Sequence, residues 1–494
     1  MSTPIRQLLA LITQSVETLE AACESSGTTI PDLHTAFAPP SEEFRANPEA
    51  AEAARIIAAA ALQLEAIVSP PQVSLYRVIT GYLKSTALRI CLEAGVTEIL
   101  REAGPQGMHV RDIAAKKWPG FRKIGSVITE FADLNIHSPE RCSFPARFMR
   151  FLATHHVYLE VSPNVFTHTR ISSILDTLKP SAEILADPEH KHDGTMGLAA
   201  LASHHLDESF KASAYAWETL ADPATVRSGD PAATPLARSL GRPEPLWTYF
   251  ARPEEQFRQH RFNIGMKGVQ ALQPPDAILK AYNWSGLPAG SLVVDVGGGV
   301  GTSCLTLAAK FPELKFVVQD QEKVVEQGKE LWNAKMPAAI SSGQVALQVH
   351  DFFKSQPQTG VAVFLMKQIM HDWSDEYCVK ILTQLSAAAG PETTLLLLET
   401  VIPLATRDPN AEGGVEEAPA PLLPNYGAVN DLGYSADMVS NVLPQMFLLC
   451  NSQERTRMHF VELLAHTGWK VVAVHRQPGD SAFLQSIEAK KVAV

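Results

Sequence analysis

Apolar positions near the start of the chain recur at helical spacing. Leu8, Leu9, Ile12, Val16 and Leu19, with polar residues between them, predict an amphipathic helix over about 4–24. A Pro/Ser/Thr-containing linker runs to about 48, and an alanine-rich helix covers 49–68 until Ser69-Pro70-Pro71 stops it. Helical pattern resumes from Val73 to Leu100. The stretch 107–136 reads as two short helices, one with Val110, Ile113 and Ala114 on its apolar face, the next with Val127, Ile128, Phe131 and Leu134. Phe151–Val161 and Val165–Thr169 then read as a hairpin about Ser162-Pro163-Asn164. Residues 185–290 carry helical pattern at Leu206–Leu220 and Pro253–Leu272, broken by a loop from Ala221 to Pro245.

From 291 the rhythm changes. Leu292–Val296, Lys315–Gln319, Val345–Val349, Val361–Met366 and Thr394–Thr400 are apolar strand candidates, and helical segments follow most of them. That alternation predicts an α/β fold with a mostly parallel sheet covered on both faces. The segment 405–434, rich in Pro, Gly, Asn and Glu, reads as a long surface loop. No internal repeat interrupts this order.

Composition narrows the classes. With 494 residues, 46% hydrophobic and 19% charged, the chain can bury large cores and suits two or three domains of about 150 residues each. Helix, helix and hairpin outline a winged helix, but a DNA reader needs a basic second helix. Here Arg122 and Lys123 are followed by Glu130 and Asp133, and the net charge is -11, so no nucleic-acid partner is expected. The six cysteines are scattered without a CxxC pair, which suits a reducing compartment and suggests neither a disulfide framework nor a zinc site. No secretory leader pattern and no apolar run near the ~20 residues of a membrane span is present, so a cytoplasmic protein with no membrane partner is expected.

The sharpest chemical signal is Asp295-Val296-Gly297-Gly298-Gly299-Val300-Gly301, directly after an apolar strand and before the helical run Ser303–Lys310. Glycines permit a tight turn and close approach of a ligand to backbone N–H groups. Dinucleotide enzymes also use such a turn, but their G-x-G-x-x-G/A spacing ends on Thr302 counted from Gly297, or on Cys304 counted from Gly299, and neither fits. The D-x-G-x-G-x-G pattern fits throughout. Asp320, 19 residues beyond Gly301 at the end of the next strand, can accept both ribose hydroxyls of an adenosine. Asp351-Phe352 follows the third strand, where it would meet the edge and face of an adenine. Each Asp alone could be a turn former; three signals in order at successive strand ends argue for one ligand.

With these residues and Met366-Lys367-Gln368-Ile369-Met370-His371-Asp372-Trp373-Ser374-Asp375 and Ser452-Gln453-Glu454-Arg455-Thr456, the stretch from about 290 to 490 resembles the small-molecule O-methyltransferases of the plant caffeate/flavonoid type and their fungal relatives. The resemblance implies a Rossmann-like class I methyltransferase domain over 286–494, with the loop 405–434 inserted. Before it come a helical, winged-helix-like dimerisation domain over 1–180, forming a homodimer, and a helical connector over 181–285 that contributes to the substrate pocket. It implies S-adenosylmethionine as methyl donor, contacted by Gly297, Gly299, Gly301, Asp320, Asp351, Phe352 and Lys367, and a small, hydroxylated aromatic acceptor. Gln319-Asp320-Gln321 stands where many relatives have Asp-Leu-Pro, yet Asp320 is retained. The 405–434 loop is longer than in the plant enzymes, so acceptor scope does not carry over.

Methyl transfer from such a donor to a phenol of pKa near ~10 calls for a base. His371, beside Lys367 after the fourth strand, matches that role, and Glu399 and Glu454 match the carboxylates that orient it, with Glu399 preferred because it ends a very apolar strand. Glu454 has a plainer reading, on a solvated helix capped by Ser452, and Asp372 reads as a cap of the following helix. Phe262 and Met266, in a segment like the family's F-N-x-G-M element, with Met446 and Phe447, are candidates for the acceptor pocket, although such residues at helical spacing are ordinary core formers. No metal is expected. His155-His156, His204-His205 and His190-x-His192-Asp193 lack converging ligand spacing. The competing readings are a nicotinamide-dependent oxidoreductase and a winged-helix regulatory or scaffold protein without catalysis.

Overall fold

The computed structural model describes residues 3–117, 143–272, 276–407, 417–431, 434, 446–476 and 484–492. Helix α1 (Pro4–Ser26) opens on Thr3, whose hydroxyl accepts from the Arg6 N–H, and closes on Gly27 at φ 65°. Helix α2 (Pro48–Val68) has Asn47 as its cap, with Pro48 at the first helical position. Its alanines Ala50, Ala53, Ala59 and Ala60 let α1 lie close, burying Leu8, Leu19, Ala22 and Cys23 in two small cores.

The run 73–100 is three helices, not one: α3 (Pro71–Ile79), then Tyr82–Glu93 and Val96–Ala103. The second break falls at Gly95, whose φ is 65° and whose missing Cβ would lie 2.8 Å from Ile184 Cδ1. Helix α3 has no buried residue, and it leaves Leu75, Tyr76, Val78 and Ile79 exposed.

Strand β1 (Met108–His109), the helix Val110–Lys117, the helix Ser143–Thr154 and the hairpin of β2 (Tyr158–Ser162) and β3 (Val165–His168) make a winged-helix-like unit with sheet order β1-β3-β2. The strand expected from Phe151 begins only at Tyr158. Phe151 and Leu152 instead end a helix that joins Met149 and Ala146 in one apolar cluster. The second helix expected over 107–136 lies outside the described residues.

Between 181 and 286 the described residues carry several short helices and one long one, Gln256–Leu272, where Pro253–Leu272 was expected; the expected helix Leu206–Leu220 is broken, with a π-turn at His205–Ser209. The expected loop 221–245 contains a helix, Pro235–Leu240.

The large sheet contains β4 (Leu292–Val296), β5 (Lys315–Asp320), β6 (Val345–Val349), β7 (Val361–Lys367) and β8 (Thr394–Glu399). After β8 come the short pair β9 (Val401–Ile402) and β10 (Arg455–Thr456), then β11 (Trp469–Arg476) and β12 (Gln485–Lys491). The order is β11-β12-β8-β7-β4-β5-β6, with β4 to β8 parallel and β12 antiparallel to both of its neighbours. Alternate residues feed two cores: Val294, Phe364 and Leu397 face one layer, Val293, Leu365 and Leu396 the other. Burial on both faces is why these strands read as unbroken apolar runs. The order reverses at β4, so its carboxyl end lies at the crevice where open α/β sheets take ligands.

The stretch 405–434 is not simply a surface loop. Ala418, Leu422 and Tyr426 are buried against Leu8, Ala59 and Ala60 of the α1/α2 hairpin. Among the described residues no helix is long and apolar enough to cross a membrane.

Candidate active site

At the end of β4 the chain turns on Gly297 (φ 69°), Gly299 (φ 60°) and Gly301 (φ 85°), conformations that side-chain-bearing residues seldom adopt. A Cβ at Gly297 would come within 2.7 Å of Ile369 Cδ1, whereas one at Gly299 would meet open space. The second glycine therefore leaves one face of the turn clear. Its N–H donates to Asp320 Oδ2 at 2.9 Å, and Gln321 N–H donates to Oδ1 at 2.8 Å, so the carboxylate at the end of β5 is locked beside the turn. Asp351, just past β6, accepts from the Phe353 N–H at 3.0 Å. Phe352 stands edge-on to Phe353 and Trp373 and beside the Gly297 turn.

Asp295, buried under the turn, accepts from Cys304 Sγ at 3.3 Å. Burial raises its pKa to about 6, against the pull of Cys304 and Lys367. Lys367 ends β7, and burial lowers its pKa while Asp295 acts the other way. The structure thus gathers Gly297, Gly299, Gly301, Asp320, Asp351, Phe352 and Lys367 around the carboxyl ends of adjacent strands. These features suit a nucleoside: a clear glycine face closed by a fixed carboxylate.

After β7, Gln368 takes φ 59° and a short 3₁₀ turn, Met370–Asp372, presents His371. A left-handed non-glycine residue here is the kind of local strain that surrounding contacts must hold. The His371 ring is 2% exposed. Its Nδ1 lies 3.0 Å from Glu454 Oε1, a hydrogen bond, and 3.9 Å from Glu399 Oε2, which is too far for one. Glu399 Oε1 instead accepts from the Ile369 N–H at 2.9 Å and the Met370 N–H at 2.7 Å. The expected preference for Glu399 is therefore reversed in geometry: Glu454 touches the ring, and Glu399 fixes the turn that carries it.

On the other side, Nε2 is 3.6 Å from Asp372 Oδ1, and neither atom has a hydrogen-bond partner among the described residues. Burial works against charge on the ring, but the carboxylates of Glu454, Asp372 and Glu399 outweigh it and raise the pKa to about 10. Burial likewise raises Glu399 to about 7 and Asp372 to about 6, with the imidazole opposing both shifts.

Asp372 does not cap the next helix, Asp375–Ala388, whose cap position is Ser374; its carboxyl is turned to His371 instead. Glu454 is not on a solvated helix, being buried, and Arg455 beside it, to which no role was given, is 1% exposed. Its guanidinium donates to the carbonyls of Met370 and Trp373, each at 2.8 Å, and to Asp375, gripping the His371 turn. The role of Arg455 has no local signal, because its partners lie some 80 residues away.

Phe262 is fully packed among Leu246, Phe250, Leu448 and Cys450, with His204 and Trp247 edge-on to its ring. Met266 and Phe447 lie partly exposed against the same cluster, and the side chain of Met446 is outside the described residues. The other histidine clusters do not converge on a point. His190 pairs with Asp187, His260 with Asp193 and His204 with Glu208. Among the described residues, only His371, Glu399 and Glu454 bring ligand-type atoms within 4.8 Å of one another.

A glycine turn on the first strand, an acidic residue ending the second and a switch point between them define the nucleoside-binding half of a class I methyltransferase. A sequence profile of the O-methyltransferase domain matches residues 217–418. The 4-O-methyltransferase 1 of Phanerochaete chrysosporium is 50% identical, covering 99% of both chains, and an O-methyltransferase of Armillaria gallica is 35% identical, covering 96% of both. The solved mitomycin 7-O-methyltransferase MmcR shares the fold at TM-score 0.55 and 20% identity, covering 85% of this chain and 98% of its own. The chain belongs to the O-methyltransferase family, whose members use S-adenosylmethionine, and is an enzyme of that kind. That removes the nicotinamide and non-catalytic readings.

Proposed function

We propose that the enzyme methylates the hydroxyl of a small phenolic molecule, with His371 as general base and Glu454 orienting it. The observation that carries this reading is the ring itself. Nδ1 is engaged by Glu454, while Nε2 is buried and has no hydrogen-bond partner among the described residues, which leaves it open to an acceptor hydroxyl. The name of the Phanerochaete relative, a 4-O-methyltransferase, fits a ring hydroxyl as acceptor.

S-adenosylmethionine, when bound, supplies an electrophilic methyl group, and Asp320, Asp351, Phe352 and the Gly297–Gly301 turn would hold it. As the acceptor oxygen is methylated, its proton would move to Nε2. Glu454 and Asp372 stabilise the imidazolium that results, and Arg455 and Glu399 keep the ring in place. Because the carboxylates raise the imidazole pKa to about 10, the neutral base becomes more abundant as pH rises, which sets the acid limb of the pH profile. Met266 and Phe447 form part of the acceptor wall, with Phe262 behind them. Residues 1–180 serve dimerisation, 181–285 connect and 286–494 carry the chemistry. The exposed face of α3 supports a homodimer, since Tyr76, Val78 and Ile79 gain nothing in water.

The test is His371→Ala with a panel of phenols and labelled donor. The variant should bind S-adenosylhomocysteine normally and lose roughly 10²–10⁴ in kcat. Its rate should recover as pH rises toward the phenol's own pKa, and at lower pH for nitrophenols than for simple phenols. An identical loss at every pH and with every phenol would reduce His371 to a positioning group.

A further inference from the structure

The α1/α2 hairpin reaches the catalytic turn through an unbroken set of contacts. On α2, Gln63 both donates to the Pro421 carbonyl at 2.9 Å and accepts from the Leu423 N–H at 3.1 Å. Tyr426 bonds to Glu52, and its ring lies under the Arg55 guanidinium. Arg407 ties the near end of the strap, donating to Glu417 and to the Ala418 carbonyl.

From the strap, Asn425 donates to the Tyr434 hydroxyl at 2.6 Å, and that hydroxyl donates to the Pro403 carbonyl at 2.5 Å. Pro403 directly follows β9, which pairs in parallel with β10 in the register Val401↔Arg455 and Ile402↔Thr456. Glu399 lies two residues before β9, and Glu454 immediately precedes β10. The two glutamates that surround His371 are thus set by one small ribbon, and the far side of that ribbon is anchored on the N-terminal hairpin.

Resting on the reading of His371, Glu399 and Glu454 given above, we infer that the α1/α2 hairpin is a positioning element for methyl transfer. It acts through the 417–434 strap by holding the β9/β10 ribbon in register. Without that anchor the two carboxylates drift relative to the imidazole, while the glycine turn and Asp320, on strands remote from the ribbon, keep their geometry. The hairpin therefore affects turnover and not donor affinity.

Two variants of the full chain test this. Gln63→Leu removes the two Gln63 bonds to the strap at similar volume, leaving Tyr426 on Glu52, and Tyr434→Phe removes the single hydroxyl midway to Pro403. The first readout is kcat, with S-adenosylhomocysteine affinity as control. The second is hydrogen exchange of the Ile369 and Met370 amides, which donate to Glu399 and report its position whatever the acceptor is.

Each variant should lose about 3- to 10-fold in kcat at unchanged affinity, with faster exchange at those two amides. The double variant should lose no more than the worse single, because both changes cut one path. Additive losses, or unchanged exchange at Ile369 and Met370 in Tyr434→Phe, would overturn the inference. Tyr434→Phe alone decides the matter if Gln63→Leu does not fold. A wrong choice of phenol would abolish turnover in the unaltered enzyme and leave the exchange result intact.

Discussion

Replacing Glu454 by Gln separates the two glutamates. Gln keeps the size of the side chain but removes the negative charge that sits 3.0 Å from Nδ1. The imidazolium formed during transfer loses a charge-assisted hydrogen bond of about 1.5–3 kcal/mol, or about 10- to 150-fold in rate on the plateau of the pH profile. The sign of the pH shift follows from the same contact. Carboxylates raise the His371 pKa from its ordinary 6.5 to about 10, so removing one lowers it, and the neutral base becomes available at lower pH. The acid limb of kcat should therefore move to lower pH while the plateau falls. Glu399→Gln should behave differently. Its amide oxygen can still accept from Ile369 and Met370, and it makes no hydrogen bond to the ring. Its carboxyl has a pKa of about 7, so in the unaltered enzyme it is already neutral below that pH. The loss should be smaller and should emerge only as pH rises through about 7. The assay is transfer of labelled methyl at saturating donor from pH 6 to 11, so that the range passes the His371 pKa of about 10, with S-adenosylhomocysteine affinity as control. An unmoved acid limb and plateau in Glu454→Gln, or an equal loss in Glu399→Gln at pH 6, would refute this division of labour.

Asp320→Ala should weaken S-adenosylhomocysteine by about 1.5–3 kcal/mol by calorimetry, with no NAD binding in either form; unchanged affinity would move the ribose site elsewhere. Methyl transfer should survive EDTA, because the base proposed is an imidazole. Lost activity that returns with Zn²⁺ or Mg²⁺ would instead make His371, Glu399 and Glu454 metal ligands. Light scattering at micromolar concentration should give twice the 53.8 kDa chain mass, and Tyr76→Lys with Val78→Lys should shift it toward monomer; a monomeric unaltered protein would contradict the assembly proposed.

Much of the proposed donor site is legible in the chain because its parts are local. A glycine turn, an acidic strand end and an Asp-Phe pair each lie within a few residues of a strand, and parallel strands buried on both faces leave long apolar runs that mark where those ends fall. The β11–β12 pair was missed, since β11 has partly exposed positions and β12 carries Gln485, Ser486, Glu488, Lys490 and Lys491 in place of such a run. The division between Glu399 and Glu454 could not be read locally: both are Glu near the same His, and a difference of 3.0 against 3.9 Å comes from how β9 and β10 align across 52 residues of intervening chain. The same holds for Arg455, whose buried partners are distant in sequence. The segment 405–434 looked like a loop from its Pro and Gly content, because composition records the backbone's irregularity and not what covers it. Packing against the alanine face of α2 made it a structural strap. Local chemistry determined which residues can bind a nucleoside and take a proton. Only the tertiary structure decided which carboxylate meets the ring, because a hydrogen bond depends on sub-ångström alignment between segments that the chain order leaves unrelated.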